Sequence, residues 1–316
     1  MPTALPVTAQ GHCRRLFRPL SLSLPPTAFR FSSSTCRCIK SDVTKQEQEE
    51  EEEETFQVLT ALKTPYNDIV IVDTAKSRML LLDSTHNVHS VLQKGDEKWT
   101  ESYWDDFVSL PPIVPEGPIA IYGLGGGTAA HLMLDVWPSL QLEGWEIDEI
   151  LIDKAREYFG LSNLERCNQA GGRLQVHIDD AFSPIQNDLP KAYAGIIIDL
   201  FSDGKVLSQL QEVETWLELS DRLMPDGRLM VNCGGLSEST IDGKISYQSV
   251  DDTWKQNSTL KALAMAFPGQ VSWKRTPEEQ GLNYLALTGP LPDLTSWSAL
   301  VPVCLTEAVK QWRPCW

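Results

Sequence analysis

Hydrophobic and polar positions change rhythm along the chain. From residue 67 to 94 they alternate in short runs, Asp68-Ile69-Val70-Ile71-Val72-Asp73, Arg78-Met79-Leu80-Leu81-Leu82-Asp83 and Val88-His89-Ser90-Val91-Leu92, with polar breaks at 74–77 and 84–87. Period two with short breaks predicts a small antiparallel β-unit. Residues 101–110 read as a helix stopped at Pro111-Pro112, where the chain loses an N–H donor and gains a ring clash.

From Ile119 the pattern alternates between continuous apolar runs and helical spacing. Strands are predicted over 119–122, 140–147, 173–178, 193–199 and 228–232, and helices over 128–136, 148–159, 212–224 and 253–266. Asp148 fits the N-cap of the second helix and Gly160 its stop, while Pro225-Asp226-Gly227 turns the chain before the fifth strand. Such alternation predicts an α/β fold, a mostly parallel sheet covered by helices on both faces. Residues 270–274 and 283–287 are close enough to form a hairpin that ends the sheet antiparallel. An antiparallel last strand separates a Rossmann-like sheet of the methyltransferase type from the fully parallel dinucleotide type.

Composition divides the rest. Residues 1–41 carry Arg14, Arg15, Arg18, Arg30, Arg37 and Lys40, no Asp or Glu, and a serine cluster at 32–34, the composition of an organelle transit peptide. Its Ser/Thr/Pro richness favours a plastid, with the mitochondrion as the alternative. Removing it leaves a chain more acidic than the overall formal charge of −16, which argues against a nucleic-acid partner. The partition expected is a transit peptide at 1–41, an acidic linker at 42–63 around the glutamate run 49–54, the β-unit and its helix at 64–113, the Rossmann-like domain at 114–289 and an extension at 290–316. Cys167, Cys233, Cys304 and Cys315 are too far apart in sequence for a metal motif, so no metal is expected, and Cys233 reads as a buried free thiol. No apolar stretch approaches the roughly 20 residues of a membrane span, so no membrane partner is expected.

The chemistry concentrates in Ile119-Ala120-Ile121-Tyr122-Gly123-Leu124-Gly125-Gly126-Gly127-Thr128, answered nineteen positions after Gly127 by Glu146. Strand, glycine loop, helix and a second strand ending in a carboxylate are spaced as a nucleoside-binding βαβ unit. The glycines allow close backbone approach, free N–H groups at the helix start would face the ligand, and the acid would accept from ribose hydroxyls. Asp179 and Asp180 after the third strand and Asp199 after the fourth are expected at the same sheet edge. His177, between apolar neighbours, reads as a satisfied histidine, Tyr103 and Asp105 as a helix surface, and the scattered tryptophans as packing residues.

Residues 64–289 resemble the spermidine synthase-like branch of the S-adenosylmethionine-dependent transferase fold. The resemblance runs through Pro65-Tyr66-Asn67-Asp68-Ile69, Glu101-Ser102-Tyr103-Trp104, the loop from Gly123 to Thr128, Trp145-Glu146-Ile147-Asp148, Asp179-Asp180-Ala181-Phe182, Ile196-Ile197-Ile198-Asp199 and Leu223-Met224-Pro225-Asp226-Gly227. It implies a nucleoside pocket of Gly123, Gly125, Gly127, Glu146, Ile147, Asp180 and Ala181. Glu146 would hold the ribose, Asp180 with Ala181 would flank the adenine, and Asp199 would be the amine-activating carboxylate. The implied donor is S-adenosylmethionine or its decarboxylated form, the acceptor an amine, the assembly a homodimer.

Two departures qualify this. The family's donor-reading aspartate is missing from Gly126-Gly127-Thr128, and the loop Asp199-Leu200-Phe201-Ser202-Asp203-Gly204 has apolar residues where the family has an Asp-Ser-Ser-Asp-Pro-like sequence. Methyl transfer, and a non-catalytic role through protein contacts, therefore stand beside aminopropyl transfer.

Overall fold

The computed structural model describes residues 55–183, 192–235, 250–277 and 283–315. The expected transit peptide and the glutamate run lie outside the described residues.

Four strands come first: β1 (Phe56–Lys63), β2 (Asp68–Thr74), β3 (Ser77–Leu81) and β4 (Ser90–Gln93), an antiparallel sheet in sequential order. β1 corrects the expected linker over 42–63. It pairs with β2 from Phe56 opposite Thr74 to Lys63 opposite Asp68, with a bulge between Val58 and Thr60. No side chain of β1 is fully buried, so this edge strand carries no alternating signal to read. The inner strands do: Ile69, Ile71 and Leu80 are fully buried and cluster with Leu151 and Phe159. The helix expected over 101–110 is a short α1 (Tyr103–Phe107), followed by a 3-10 turn at Pro111–Ile113.

β5 (Ile119–Tyr122), α2 (Thr128–Val136), β6 (Gln141–Glu146), α3 (Glu149–Tyr158), α4 (Leu161–Leu164), β7 (Arg173–Ile178) and β8 (Tyr193–Ile198) then alternate as the apolar runs predict. After β8 the chain forms a small hairpin, β9 (Phe201–Ser202) with β10 (Lys205–Val206), and then α5 (Val213–Ser220), shorter than the helix expected over 212–224. β11 (Leu223–Asn232) begins before the expected turn, so Pro225-Asp226-Gly227 is an irregularity within a strand, between Leu223 opposite Tyr193 and Arg228 opposite Gly195. The helix expected over 253–266 divides into a 3-10 segment, Val250–Gln256, and α6 (Ser258–Ala266), because Asn257 caps α6 by accepting from Leu260 N at 3.0 Å.

β12 (Val271–Arg275) and β13 (Tyr284–Thr288) form the predicted hairpin. The eight-stranded sheet has the order β14-β12-β13-β11-β8-β5-β6-β7, where β14 is Arg313–Pro314. β5, β6, β7, β8 and β11 are parallel, and β13 enters antiparallel between β11 and β12, as the methyltransferase-type sheet requires. Alternate residues of the central strands serve two cores. Ile119, Ile121, Ile197 and Met230 pack with α2 and with Trp297 and Trp312, whereas Ala120, Tyr122, Ile196 and Val231 pack with Trp216 of α5 and Leu260 and Leu263 of α6.

Residues 290–315 are thus part of the fold, not an extension beyond it. α7 (Leu294–Leu300) and α8 (Thr306–Val309) lead into β14, and Trp297 donates Nε1 to Ser109 O at 2.8 Å. Buried Lys274 of β12 pairs with Asp106 of α1 at 2.5 Å and donates to Ala308 O at 3.1 Å. This contact ties α1 to the far edge of the sheet. No helix among the described residues is long and apolar enough to cross a membrane.

Candidate functional site

Because β5, β6, β7 and β8 run parallel, their C-terminal ends share one edge, where ligands of open α/β sheets bind. Glu146 is the last residue of β6, and Asp179 and Asp199 follow β7 and β8 directly. The expected acidic edge is therefore present. Gly123 has φ +85°, and a Cβ there would lie 2.2 Å from Asp199 O, so only glycine lets the loop and the end of β8 approach each other.

The loop itself departs from expectation. Gly123 N and Leu124 N both donate to Trp145 O at 3.0 Å, Gly125 N to Glu146 Oε2 at 3.1 Å, Gly126 N to Ser90 Oγ at 2.8 Å and Gly127 N to Leu124 O at 2.9 Å. Every N–H from Gly123 to Gly127 thus has a partner within the protein. The glycine loop spends its own amides inside the protein.

Glu146 is shaped by these contacts. Its Oε2 takes Gly125 N and its Oε1 takes Asp148 N at 3.2 Å, while burial raises its pKa against the pull of those N–H groups. Acceptor capacity remains on the carboxylate for a hydroxyl. Asp148 caps α3 as predicted, and its Oδ2 accepts from Thr64 Oγ1 at 2.6 Å and Asn67 Nδ2 at 2.8 Å, which pins the turn between β1 and β2 to the loop after β6. Ile147 is 40% exposed and Ile178 41%, an apolar ledge at the ends of β6 and β7. Asp180 is exposed and its Oδ1 accepts from Phe182 N at 2.9 Å; buried Ala181 offers its carbonyl to Arg222 Nη1 at 2.6 Å. The structure joins the glycine loop, Glu146 and Asp199 at this edge.

Asp199 receives three donors. Tyr103 Oη at 3.1 Å and Trp104 Nε1 at 3.2 Å donate to Oδ2, and Asn232 Nδ2 donates to Oδ1 at 3.0 Å. No Lys or Arg among the described residues pairs with it. Burial outweighs the three hydrogen bonds and pushes its pKa up to about 6. The Tyr103 phenol is held well above its usual range, by burial first and by Asp199 second. The reading of Tyr103 and Asp105 as a helix surface is overturned. Tyr103 faces Asp199, and Asp105 is buried, accepts from Thr100 N, Thr100 Oγ1 and Glu101 N, and is pushed by burial to about 6. Past Asp199, Asp203 (φ +49°) sits at the exposed tip of the β9–β10 hairpin.

His177 stacks on Trp145 at 4.1 Å, and its Nε2 lies 3.2 Å from Glu143 Oε2, an ion-pair distance outside hydrogen-bond geometry, so the fully satisfied histidine expected is not what is found. Cys233 is buried and free, and Trp254, Trp273, Trp297 and Trp312 are buried packing residues.

No protein-family model matches the chain. It is 25% identical over 189 residues to a probable polyamine aminopropyl transferase of Bifidobacterium longum (strain NCC 2705), a match covering 60% of this chain and 39% of that protein. Its fold is spermidine synthase-like. Among solved structures it resembles a probable spermidine synthase from Corynebacterium glutamicum ATCC 13032, with TM-score 0.55, 17% identity, and 73% and 79% of the two chains covered. A spermidine synthase in complex with the transition state analogue AdoDATO superposes with TM-score 0.52 at 17% identity, covering 73% of each chain. At such identities these structures speak for the fold alone, and the chain spans 39% of the curated relative it matches.

Three residues of this site carry no role in the sequence reading: Trp104, Asn232 and Ser90. Asn232 had a signal, a polar residue ending the apolar run Leu229-Met230-Val231. Trp104 lies 95 positions from Asp199 and Ser90 36 positions from Gly126, and no local pattern reports contacts of that span.

Proposed function

We propose that the chain transfers a group from an S-adenosyl sulfonium donor to an amine. The observation that carries this reading is Asp199, a partly buried carboxylate at the sheet edge with three neutral donors and no cationic partner among the described residues. Three of roughly four acceptor positions are taken, which leaves one on Oδ1 for an N–H of the acceptor. In this reading Glu146 holds the ribose hydroxyls, while Ile147, Asp180 and Ala181 bound the adenine. Gly123, Gly125 and Gly127 shape the wall beside the sulfonium. The amine nitrogen bonds to the carbon on sulfur as the C–S bond breaks, the electron pair stays on sulfur, and Asp199 takes the proton the nitrogen sheds. Positioning supplies most of the rate. The relatives named above, an aminopropyl transferase and spermidine synthases, support an aminopropyl group and a polyamine acceptor.

Calorimetric titration with S-adenosylmethionine, its decarboxylated form and methylthioadenosine tests the pocket. Binding of at least one is expected, weakened roughly 10- to 100-fold in Glu146→Ala. No binding at millimolar concentration would leave only a non-catalytic role through protein contacts. Methyl transfer keeps one argument in its favour, the absence of a carboxylate from Gly125-Gly126-Gly127-Thr128 to read an amine tail. Detection of a methylated and not an aminopropylated product would select it. We also propose that residues 1–41 direct import into a plastid; a fluorescent fusion that enters mitochondria instead would overturn this.

A further inference from the structure

We infer that Arg222 is a positioning residue for the nucleoside base: acting through Ala181 and not on the ligand, it fixes the turn after β7 where Asp180 can select an amino-bearing purine. This rests on the nucleoside reading above. Arg222 lies between α5 and β11, and its own backbone is tied to the start of β8, its carbonyl accepting from Ala192 N at 3.1 Å and Tyr193 N at 3.2 Å. The residue is 5% exposed. Its Nη1 donates to Ala181 O at 2.6 Å and to Tyr122 Oη at 3.1 Å, and its guanidinium carbon stands 5.7 Å from the centroid of the Tyr122 ring.

The two ends of this strut differ in how firmly they are held otherwise. Tyr122 ends β5, opposite Trp145 and Ile198 in the parallel sheet, and its carbonyl accepts from Asp199 N at 2.9 Å. It is a fixed point. The turn after β7 is shaped by short-range bonds: Asp180 N to Asp179 Oδ1 at 2.8 Å, Phe182 N to Asp180 Oδ1 at 2.9 Å and Ser183 N to Asp180 O at 2.9 Å. Such bonds bend the chain without saying where the bend stands relative to the sheet. The bond from Arg222 does say so, because it spans 41 positions and has a charged donor.

On the outer side of that turn Asp180 is exposed, near the ledge made by Ile147 and Ile178 at the ends of β6 and β7. An apolar ledge holds a flat ring by its area and is indifferent to the ring's substituents. A carboxylate only accepts hydrogen bonds, so it favours a ring that carries an amino group over one with a carbonyl in the same place. That choice needs the carboxylate at a set distance from the ledge. Arg222 sets it.

The test is calorimetry on the full chain with methylthioadenosine and methylthioinosine, which differ only in an amino group exchanged for a carbonyl on the purine. The unaltered chain should bind methylthioadenosine about tenfold more tightly or better. Arg222→Met, which removes both donors and keeps the buried length, should bring the two ligands within about threefold, whereas Arg222→Lys, which keeps a cationic donor, should retain about fivefold. Tyr122→Phe removes one anchor of the guanidinium and should fall between them; it decides alone should Arg222→Met fail to fold. Partial misfolding lowers the number of sites for both ligands and leaves their ratio unmoved. A ratio near tenfold in both Arg222→Met and Tyr122→Phe overturns the role of Arg222 while leaving the pocket intact. Equal affinities in the unaltered chain take the base away from Asp180 and overturn it too, and failure of both ligands to bind removes the nucleoside pocket itself.

Discussion

Asn232 and Asp199 meet at 3.0 Å because β11 and β8 are parallel neighbours in register, Val231 opposite Ile198, so the first polar residue of each strand end faces the other. Sheet geometry thus orients Oδ1 from below, and α1 orients Oδ2 from the side through Tyr103 and Trp104. A carboxylate fixed at both oxygens is positioned to act without rearranging.

In the transfer proposed above, Asp199→Asn should lower the rate by about 100-fold or more, with donor affinity little changed. In the unaltered enzyme kcat/KM should fall on acidification through about pH 6, where Asp199 becomes protonated and stops accepting. A profile flat from pH 5 to 8, or full turnover in the variant, removes Asp199 from the reaction.

Stability should move with pH in the opposite sense to activity. Asp105 and Asp199 both have folded pKa values raised to about 6 from 3.8, so the folded state binds protons more tightly than the unfolded one. Their contribution is greatest below about pH 4 and is lost as pH rises toward 6 and beyond. Urea midpoints should therefore show Asp105→Asn losing more stability relative to the parent at pH 4.5 than at pH 7.5. An equal difference at both pH values contradicts the raised pKa.

Gly123→Ala combines a left-handed backbone with a clash against Asp199 O. The expected cost is about 2 kcal/mol or more in chemical denaturation. Any folded remainder should lose transfer activity, because the loop and Asp199 cannot both keep their places. A variant with native stability and turnover would mean that the contact is loose in solution.

Lys274→Met leaves Asp106 buried without its cation, which should cost about 3–5 kcal/mol, whereas the double variant Lys274→Met/Asp106→Leu should recover most of it. Denaturation of the two variants decides; a double variant no better than the single one would show that the pair is not where the energy lies.

The elements legible in the sequence were those whose burial repeats locally. β5 and β8 are buried at every position and read as unbroken apolar runs, and Asp148 announced α3 through its cap. β1 was hidden because an edge strand with no buried face leaves no pattern, and the region after 289 because its tryptophans bury against Ser109 and β12, far away in sequence. The site divides in the same way. The acids at the strand ends were visible one by one, but the donors that tune Asp199 and the hydroxyl that fills the glycine loop come from other elements. The glycine spacing reports close approach, and among the atoms that approach are Asp199 O and Ser90.

The Lys274 bridge also has a meaning for biosynthesis. Asp106 belongs to α1, which carries Tyr103 and Trp104, yet its counter-ion is 168 positions later and Ala308, which shares that ammonium, later still. A nascent chain that has emerged just past β8 already contains Asp199, the glycine loop and α1 packed on α2, but not Lys274 and Ala308, which complete the bridge to Asp106. Domains acquire their fixed packing as units during synthesis. Asp199 and its donors are consequently locked by the Lys274 bridge only after β12 and α8 have been made, so a fragment ending before them carries the acids of the pocket without that lock.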